Sequence, residues 1–267
     1  MKASAHSLFW SFTMFLATLS STPFAPGQDE KPKDDIPMRG FRFSAKANVE
    51  DKDPEAVHPL PEGALKVGLL KGQAKLPPEF AEIAQRGASA VTEQKWDEAR
   101  EAYLELVGKA PDNALAYANL GVAEQQLGNL LAAAGNLNKS VQLNSSIAQN
   151  WQTLGLVQYE HGDLVLAISS LTRAVHEDPA DARSRVYLAA IMHDYGWRQA
   201  AVTELERAVQ TDPKLADAHF NLAVAYVAED PPRIELARRH YYAARDLGAA
   251  KSGDIEKLLL NGSKEEE

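Results

Sequence analysis

The chain has 267 residues, of which 45% are hydrophobic and 24% are charged, as is typical of globular proteins. Its formal net charge of −9 argues against a nucleic-acid partner, because contacts with phosphates require a basic surface. The chain contains no cysteine, which excludes disulfide bonds, thiolate metal ligands and cysteine nucleophiles.

The first 27 residues have the layout of a secretory signal peptide. Lys2 supplies a positive start, residues 8–19 (LFWSFTMFLATL) form an uncharged and mostly apolar run, and small residues Ala25 and Gly27 precede Gln28. A spanning helix requires about 20 predominantly apolar residues, so this run is short for one. We expect cleavage near Gly27 and an exported protein, periplasmic or secreted. The alternative is an uncleaved N-terminus that tethers the chain to a membrane.

Residues 28–78 are rich in charge and proline, as in the stretches QDEKPKDDIP and EDKDPEAVHPLPEG, and have no sustained period of 3.6 or 2. Such a composition buries too little apolar surface to offset the entropy of ordering. The sequence therefore predicts a flexible, largely disordered linker. The alternative is that one of two short apolar stretches, 41–43 (FRF) or 63–70 (GALKVGLL), docks on the following domain or on a partner.

From residue 79 to residue 249 the sequence repeats itself every 34 residues, which indicates a stack of similar structural units. The series with this spacing are Ala99, Ala133, Ala167 and Ala201; Leu120, Leu154, Leu188 and Leu222; Gly128, Gly162 and Gly196; Pro111, Ser145, Pro179 and Pro213; and the small residues Gly87, Gly121, Gly155, Ala189 and Ala223. Several series that share one period do not arise by chance.

Each unit reads as two helices joined by a turn. In residues 148–181 apolar side chains recur at helical spacing, Gly162 and Asp163 interrupt them, and Pro179 ends a second helical run. We expect the Asp163 carboxylate to cap this second helix. Small residues Gly155 and Ala167 let the two helices approach closely, and neither helix can bury its apolar stripe without neighbouring units.

The unit resembles the tetratricopeptide repeat, which has an aromatic residue at position 4, Leu at 7, Gly at 8, Ala at 20, an aromatic or Leu at 24, Ala at 27 and Pro at 32. Residues 148–181 match best, and the residues expected to maintain the repeats are Trp151, Leu154, Gly155, Ala167, Pro179, Ala201 and Pro213. The main departures are Arg86 at position 7, Ser140 at 27, Ser145 at 32 and Arg185 at 4.

This resemblance implies an all-α, right-handed α-solenoid of about five helix–turn–helix repeats. The repeats fall near residues 80–113, 114–147, 148–181, 182–215 and 216–249, and are called units one to five. Residues 250–267 are expected to form a short capping helix and an acidic tail.

One polar cluster invites a chemical reading, because Tyr159, Glu160, His161 and Asp163 lie close together in the sequence. In the repeat they fall on a turn and on two different helix faces, so we interpret them as structural. No nucleophile elbow, phosphate-binding loop, dinucleotide fingerprint or metal-binding histidine motif is present. We therefore expect no catalytic residues, no metal, no cofactor and no small-molecule substrate, and hence not an enzyme.

The resemblance further implies that the first helix of each unit lines a concave groove for a protein or peptide partner. The expected groove residues are Asn119, Gln126, Gln152, Leu156, Tyr159, Arg183, Tyr187, His193, Phe220, Asn221 and Val224. The carboxylate-clamp subclass is disfavoured, because only Asn119 matches its pattern.

The predicted function is an exported, non-catalytic scaffold or adaptor. The alternatives are an accessory subunit of an envelope enzyme or of a secretion or assembly complex, and a self-associating structural protein. Nothing in the sequence specifies the oligomeric state.

Overall fold

The computed structural model of the chain describes residues 78–262, with side chains for residues 80–260. The expected signal peptide, nearly all of the linker with its two apolar stretches, and the end of the acidic tail lie outside the described residues. Within residues 78–262 there are eleven helices and no strand, which confirms the all-α prediction. The helices are α1 (Pro78–Thr92), α2 (Trp96–Lys109), α3 (Ala114–Gln126), α4 (Leu130–Leu143), α5 (Ala148–His161), α6 (Leu164–Glu177), α7 (Ala182–Asp194), α8 (Arg198–Thr211), α9 (Ala216–Val227), α10 (Ile234–Asp246) and α11 (Gly253–Gly262).

The helices stack in chain order, each packing mainly on its neighbours in sequence. The first helices of successive units also touch, α3 on α5, α5 on α7 and α7 on α9, whereas the second helices have no comparable contact. An array whose first helices are the closer set curves toward them, as expected for a solenoid. The last helix, α11, covers α9 and α10. No helix within residues 78–262 combines the length and the apolarity that a bilayer span requires.

The two helices of unit three are in contact at Gly155. A Cβ atom built on this glycine would lie 2.7 Å from Cγ of Leu171 and 3.2 Å from the carbonyl oxygen of Ala167. Leu171 and Ala167 are fully buried, so neither can move toward solvent. Gly121 meets Leu137 in the same way in unit two. The glycine at position 8 is therefore required by the distance between the helices.

Two departures from the repeat pattern are compensated by ion pairs between the helices of one unit. Arg86 replaces leucine in unit one and pairs with Glu105, 19 residues further on. Arg185 replaces an aromatic residue in unit four and pairs with Glu204 at 2.9 Å, again 19 residues further on. Both partners of the second pair are largely buried, so loss of Glu204 would leave the Arg185 charge without this partner, whereas Glu204 also pairs with Arg207.

A third departure, Ser140 in place of alanine, links unit two to unit three. Its hydroxyl is fully buried and donates to the carbonyl oxygen of Ala114 at 2.7 Å. It also accepts from the side-chain amide of Asn150 at 2.7 Å. The serine thus replaces a packing contact with a buried hydrogen-bond network that is satisfied on both sides.

Position 4 of the repeat serves as a hydrogen-bond donor across the junction between units. Nε1 of Trp151 donates to the carbonyl oxygen of Ser145 at 2.8 Å. Nη2 of Arg185 lies 3.5 Å from the carbonyl oxygen of Pro179. Nε2 of His219 lies 3.1 Å from that of Pro213. Each pair is six residues apart, so three different side chains share one N–H donor role. This explains why arginine and histidine replace the aromatic residue.

The predicted cap by Asp163 is wrong. Asp163 is the residue before α6, but its side chain makes no capping hydrogen bond. Its carboxylate instead lies 2.8 Å from Nδ1 of His161. Gly162 between them adopts a φ of +95°, a conformation that glycine accepts without strain, and this turn brings the two side chains together.

His219 also contacts His240, and this pair joins the two helices of unit five. The Nδ1 atoms of the two rings are 3.0 Å apart. Because Nε2 of His219 donates to Pro213, its Nδ1 accepts, and Nδ1 of His240 carries the shared proton. Burial, with smaller contributions from His219 and Arg239 and against an opposing one from Glu206, lowers the pKa of His240 from its ordinary 6.5 to about 4.

We predict opposite effects for two matched glycine substitutions. Gly135→Ala, in α4 with open space around it, should stabilise the fold by about 0.5–1 kcal/mol, because alanine has the higher helix propensity. Gly155→Ala should destabilise it by about 1–3 kcal/mol, because the added methyl group overlaps Leu171. Urea unfolding measures both, and stabilisation by Gly155→Ala would contradict the packing described above.

We also predict an acid-dependent loss of stability from the histidine pair. The unfolded ring binds a proton near pH 6.5 and the folded ring only near pH 4, so stability falls as the pH drops through this window. The half-buried ring limits the effect to about 1 kcal/mol between pH 7 and 5. His240→Gln should remove that part of the loss in urea unfolding, whereas His176→Gln, at an exposed site, should keep it. If the free energy of unfolding falls equally between pH 7 and 5 in the wild type and in His240→Gln, the histidine pair does not cause the loss.

Candidate partner-binding groove

The candidate groove lies on α3, α5, α7 and α9, the helices that face the inner side of the curve. Four of the predicted groove residues are accessible there: Arg183 is exposed, and Asn119, Gln126 and Tyr159 are half-buried. We call the surface that carries these four side chains the inner face. Among the described residues, no hydrogen bond or ion pair involves the side chains of Asn119 and Gln126, so both amides are available to a ligand.

The other predicted groove residues are buried between units. They are Gln152, Leu156, Tyr187, His193, Phe220, Asn221 and Val224, with exposures from 0% to 9%. Leu156 and Tyr187 belong to one apolar cluster with Leu171 and Ile191, which fills the space between units three and four. Successive first helices pack so closely that these positions are covered. The predicted contact surface is therefore reduced to the four accessible residues.

The residues predicted to maintain the repeats occupy several environments. Leu154, Gly155, Ala167 and Ala201 are buried, and Trp151 is half-buried. Pro179 and Pro213 are exposed, and their carbonyl oxygens accept the hydrogen bonds from position 4 described above.

Two hydrogen-bonded rungs join consecutive units along one edge of the inner face. Nε2 of Gln125 donates to both carboxylate oxygens of Glu160 at 2.8 Å. The hydroxyl of Tyr159 donates to the carboxylate of Asp194 at 2.6 Å. In each rung position 12 of one unit meets position 13 of the next, 35 residues further on. Unlike side chains thus form the same link twice.

A third link joins units three and four beneath this surface. The carboxylate of Asp181 caps α7 by accepting from the backbone N–H groups of Arg183 and Ser184. Nε2 of Gln152 lies 3.1 Å from the same carboxylate and 2.9 Å from the hydroxyl of Ser184. Gln152 is thereby committed to the junction, a role that its position in a single repeat does not reveal.

The carboxylates of the two rungs experience different electrostatic surroundings. Burial raises the pKa of Glu160, and the hydrogen bond from Gln125 only partly opposes it. Burial also acts to raise the pKa of Asp194, but the nearby His193 ring and the hydrogen bond from Tyr159 outweigh it, so that pKa is lowered. Burial and the neighbouring Asp194 raise the pKa of Tyr159, which keeps its hydroxyl protonated as the donor of the rung.

The polar cluster noted in the sequence separates into unrelated contacts. Tyr159 turns to Asp194 and Glu160 to Gln125, both in other units, whereas His161 pairs with Asp163 at the exposed turn. Within residues 78–262, no group of three or more His, Asp or Glu side chains could hold a metal ion. The sequence did not single out Asp181 and Ser184; the signal available was a capping pattern before α7.

A separate depression of about 940 Å³ opens away from the inner face, between α2 and α4. Leu104 and Leu131 contribute exposed apolar surface to it, and Arg100, Glu101 and His161 lie at its rim. Its lining is mixed, with polar and charged side chains beside the two exposed leucines.

The array described above belongs to the class of all-α helical-repeat solenoids. The tetratricopeptide repeat family matches residues 85–146. A crystal structure of MamA protein is 21% identical, covers 65% of this chain and 97% of its own, and has a TM-score of 0.57. MamA from Desulfovibrio magneticus RS-1 is 19% identical, with coverages of 64% and 96% and a TM-score of 0.58.

YrrB, described as a TPR protein with an unusual peptide-binding site, is 21% identical, with coverages of 67% and 88% and a TM-score of 0.53. No curated protein matches the chain. Likenesses below 25% identity establish the fold, and the described helices form a solenoid of tetratricopeptide repeats.

Proposed function

We propose that this chain is a non-catalytic scaffold or adaptor that binds a segment of a partner protein along the inner face. The observation that carries the proposal is a row of accessible polar side chains, from Asn119 and Gln126 to Tyr159 and Arg183, on a surface that is already ordered. Free amides can bond to the backbone of an extended peptide, while the half-buried Tyr159 ring offers apolar contact.

The fold supports this proposal in two ways. Tetratricopeptide repeats act in general as surfaces for protein interaction, and the similar YrrB structure is described by its peptide-binding site. The hydrogen-bonded rungs hold neighbouring helices in register before a ligand arrives, which reduces the entropy that binding must offset. Fold alone does not specify a partner, so the inner face itself has to be tested.

Site-specific photocrosslinking tests the proposal. We predict that a photoreactive phenylalanine analogue at Asn119, Gln126 or Arg183 yields discrete adducts with a partner in the native cells. The same analogue at Leu104 or Leu131 samples the depression between α2 and α4 and should yield none of these adducts. Circular dichroism of each variant verifies folding. Adducts from the depression alone, or from neither surface, would reject the inner face as the binding site.

We further propose that the chain acts outside the cytoplasm after removal of residues 1–27. The support is the sequence alone: a positive start, an uncharged apolar run and the small residues Ala25 and Gly27. We predict that protein recovered from the native cells begins near Gln28, as read by N-terminal sequencing of the periplasmic or secreted fraction. An intact N-terminus in the membrane fraction would instead indicate a tether.

A further inference from the structure

The two rung carboxylates on the inner face lack a cationic partner. No lysine or arginine of the described residues lies within ion-pair distance of Glu160. Among the described residues, the basic group within that distance of Asp194 is the His193 ring, at 3.7 Å, which is charged only when protonated. Several other carboxylates of the described array do pair with cations, as in Arg86–Glu105, Arg185–Glu204, Arg207–Glu204, Arg233–Glu229 and Arg238–Glu235.

Helix ends add to the negative potential at this edge. Glu160 lies in the last turn of α5, and Asp194 is the last residue of α7. The C-terminus of a helix presents free carbonyl groups and the negative end of the helix dipole, so it favours cations and disfavours carboxylates. Both rungs therefore place an anion where the backbone is already unfavourable for one, and no lysine or arginine of the described part of the chain pairs with either carboxylate.

The first rung is also short of hydrogen-bond donors. A single amide group, Nε2 of Gln125, serves both oxygens of Glu160. Oε1 of Gln125 accepts no hydrogen bond, although this side chain is only 6% exposed. Oε1 of Gln125 thus lacks a donor, whereas buried polar atoms are normally satisfied. The missing partner is a donor, and the negative charge of the neighbouring Glu160 favours a positively charged one.

Tyr159 supplies the remaining contact surface at this place. Its hydroxyl bonds to Asp194, so its half-buried ring lies beside that carboxylate. An aromatic face accepts the methylene stem of lysine or the plane of a guanidinium group.

We propose that the segment bound in the groove places a lysine or arginine side chain over Glu160 and Asp194. This inference rests on the proposed function, because it specifies one chemical feature of the ligand of the inner face. The basic head contacts the two carboxylates, and the stem covers Tyr159. The partner segment is therefore basic at this point, and an acidic or neutral side chain there binds more weakly.

Selection from a random 12-residue peptide library tests the proposal with a defined probe. Three proteins are compared: the wild type, Glu160→Gln with Asp194→Asn, and a control with Glu101→Gln and Asp112→Asn. The control removes the same charge at exposed sites outside the inner face. The amide replacements at Glu160 and Asp194 keep an acceptor oxygen for Gln125 and Tyr159, so the rungs can persist, and thermal melting checks this.

We expect the wild type and the control to enrich lysine plus arginine at least about twofold over the unselected library, and the inner-face variant to lose that enrichment. One enriched peptide is then synthesised with its basic residue as Lys and as Gln. The change should weaken binding roughly tenfold to the wild type and less than about twofold to the inner-face variant, because the coupled pair is already absent there.

Three results would overturn the inference. Peptides without a basic preference, or an equal basic preference in all three proteins, would show that the groove binds segments but that these carboxylates do not select a cation. No enrichment of any peptide over the empty support, with all three proteins folded, would reject the proposed function itself and the inference with it.

Discussion

The architecture depends on how closely the two helices of a unit approach each other. At Gly155 the distance to Leu171 leaves no room for a side chain, and Gly121 repeats this contact with Leu137. This approach lets an antiparallel pair of short helices bury alanine and leucine completely, and the exposed flank of the pair is then covered by the next unit. Position 8 is therefore restricted to the smallest residues, while most surface positions vary freely.

Polar interactions maintain the stack wherever apolar packing is replaced. Three kinds of polar link occur at positions where other units use apolar packing. They are the ion pairs of Arg86 and Arg185, the buried hydroxyl of Ser140, and the N–H donors at position 4. Such links are directional, so they fix the angle between elements in addition to holding them together. The departures from the repeat pattern are thus alternative solutions to one packing requirement.

The fold was predictable from the sequence because each unit meets the same neighbours, and the same size limits recur every 34 residues. The solvent exposure of the groove positions was not predictable in this way. Phe220 and Asn221 occupy positions that the resemblance assigns to the groove, yet close contact between α9 and its neighbours buries both. The sequence allows the Asp163 carboxylate either to cap α6 or to contact His161. The turn at Gly162, which the sequence does not specify in detail, places it against His161. The two rungs likewise join residues from different units.

The rungs also determine how stiffness is distributed along the solenoid. An array of repeats behaves as a spring whose compliance lies at its junctions, because each unit contacts only its neighbours. Tyr159 and Gln125 tie units three and two to the units that follow them. At the junction of units four and five, position 13 is Ala228, whose methyl group cannot complete a rung. The junction of units one and two also lacks a rung, because Val91 stands at position 12 of unit one. Bending of the array should therefore concentrate at these two junctions, while units two to four move as one rigid block.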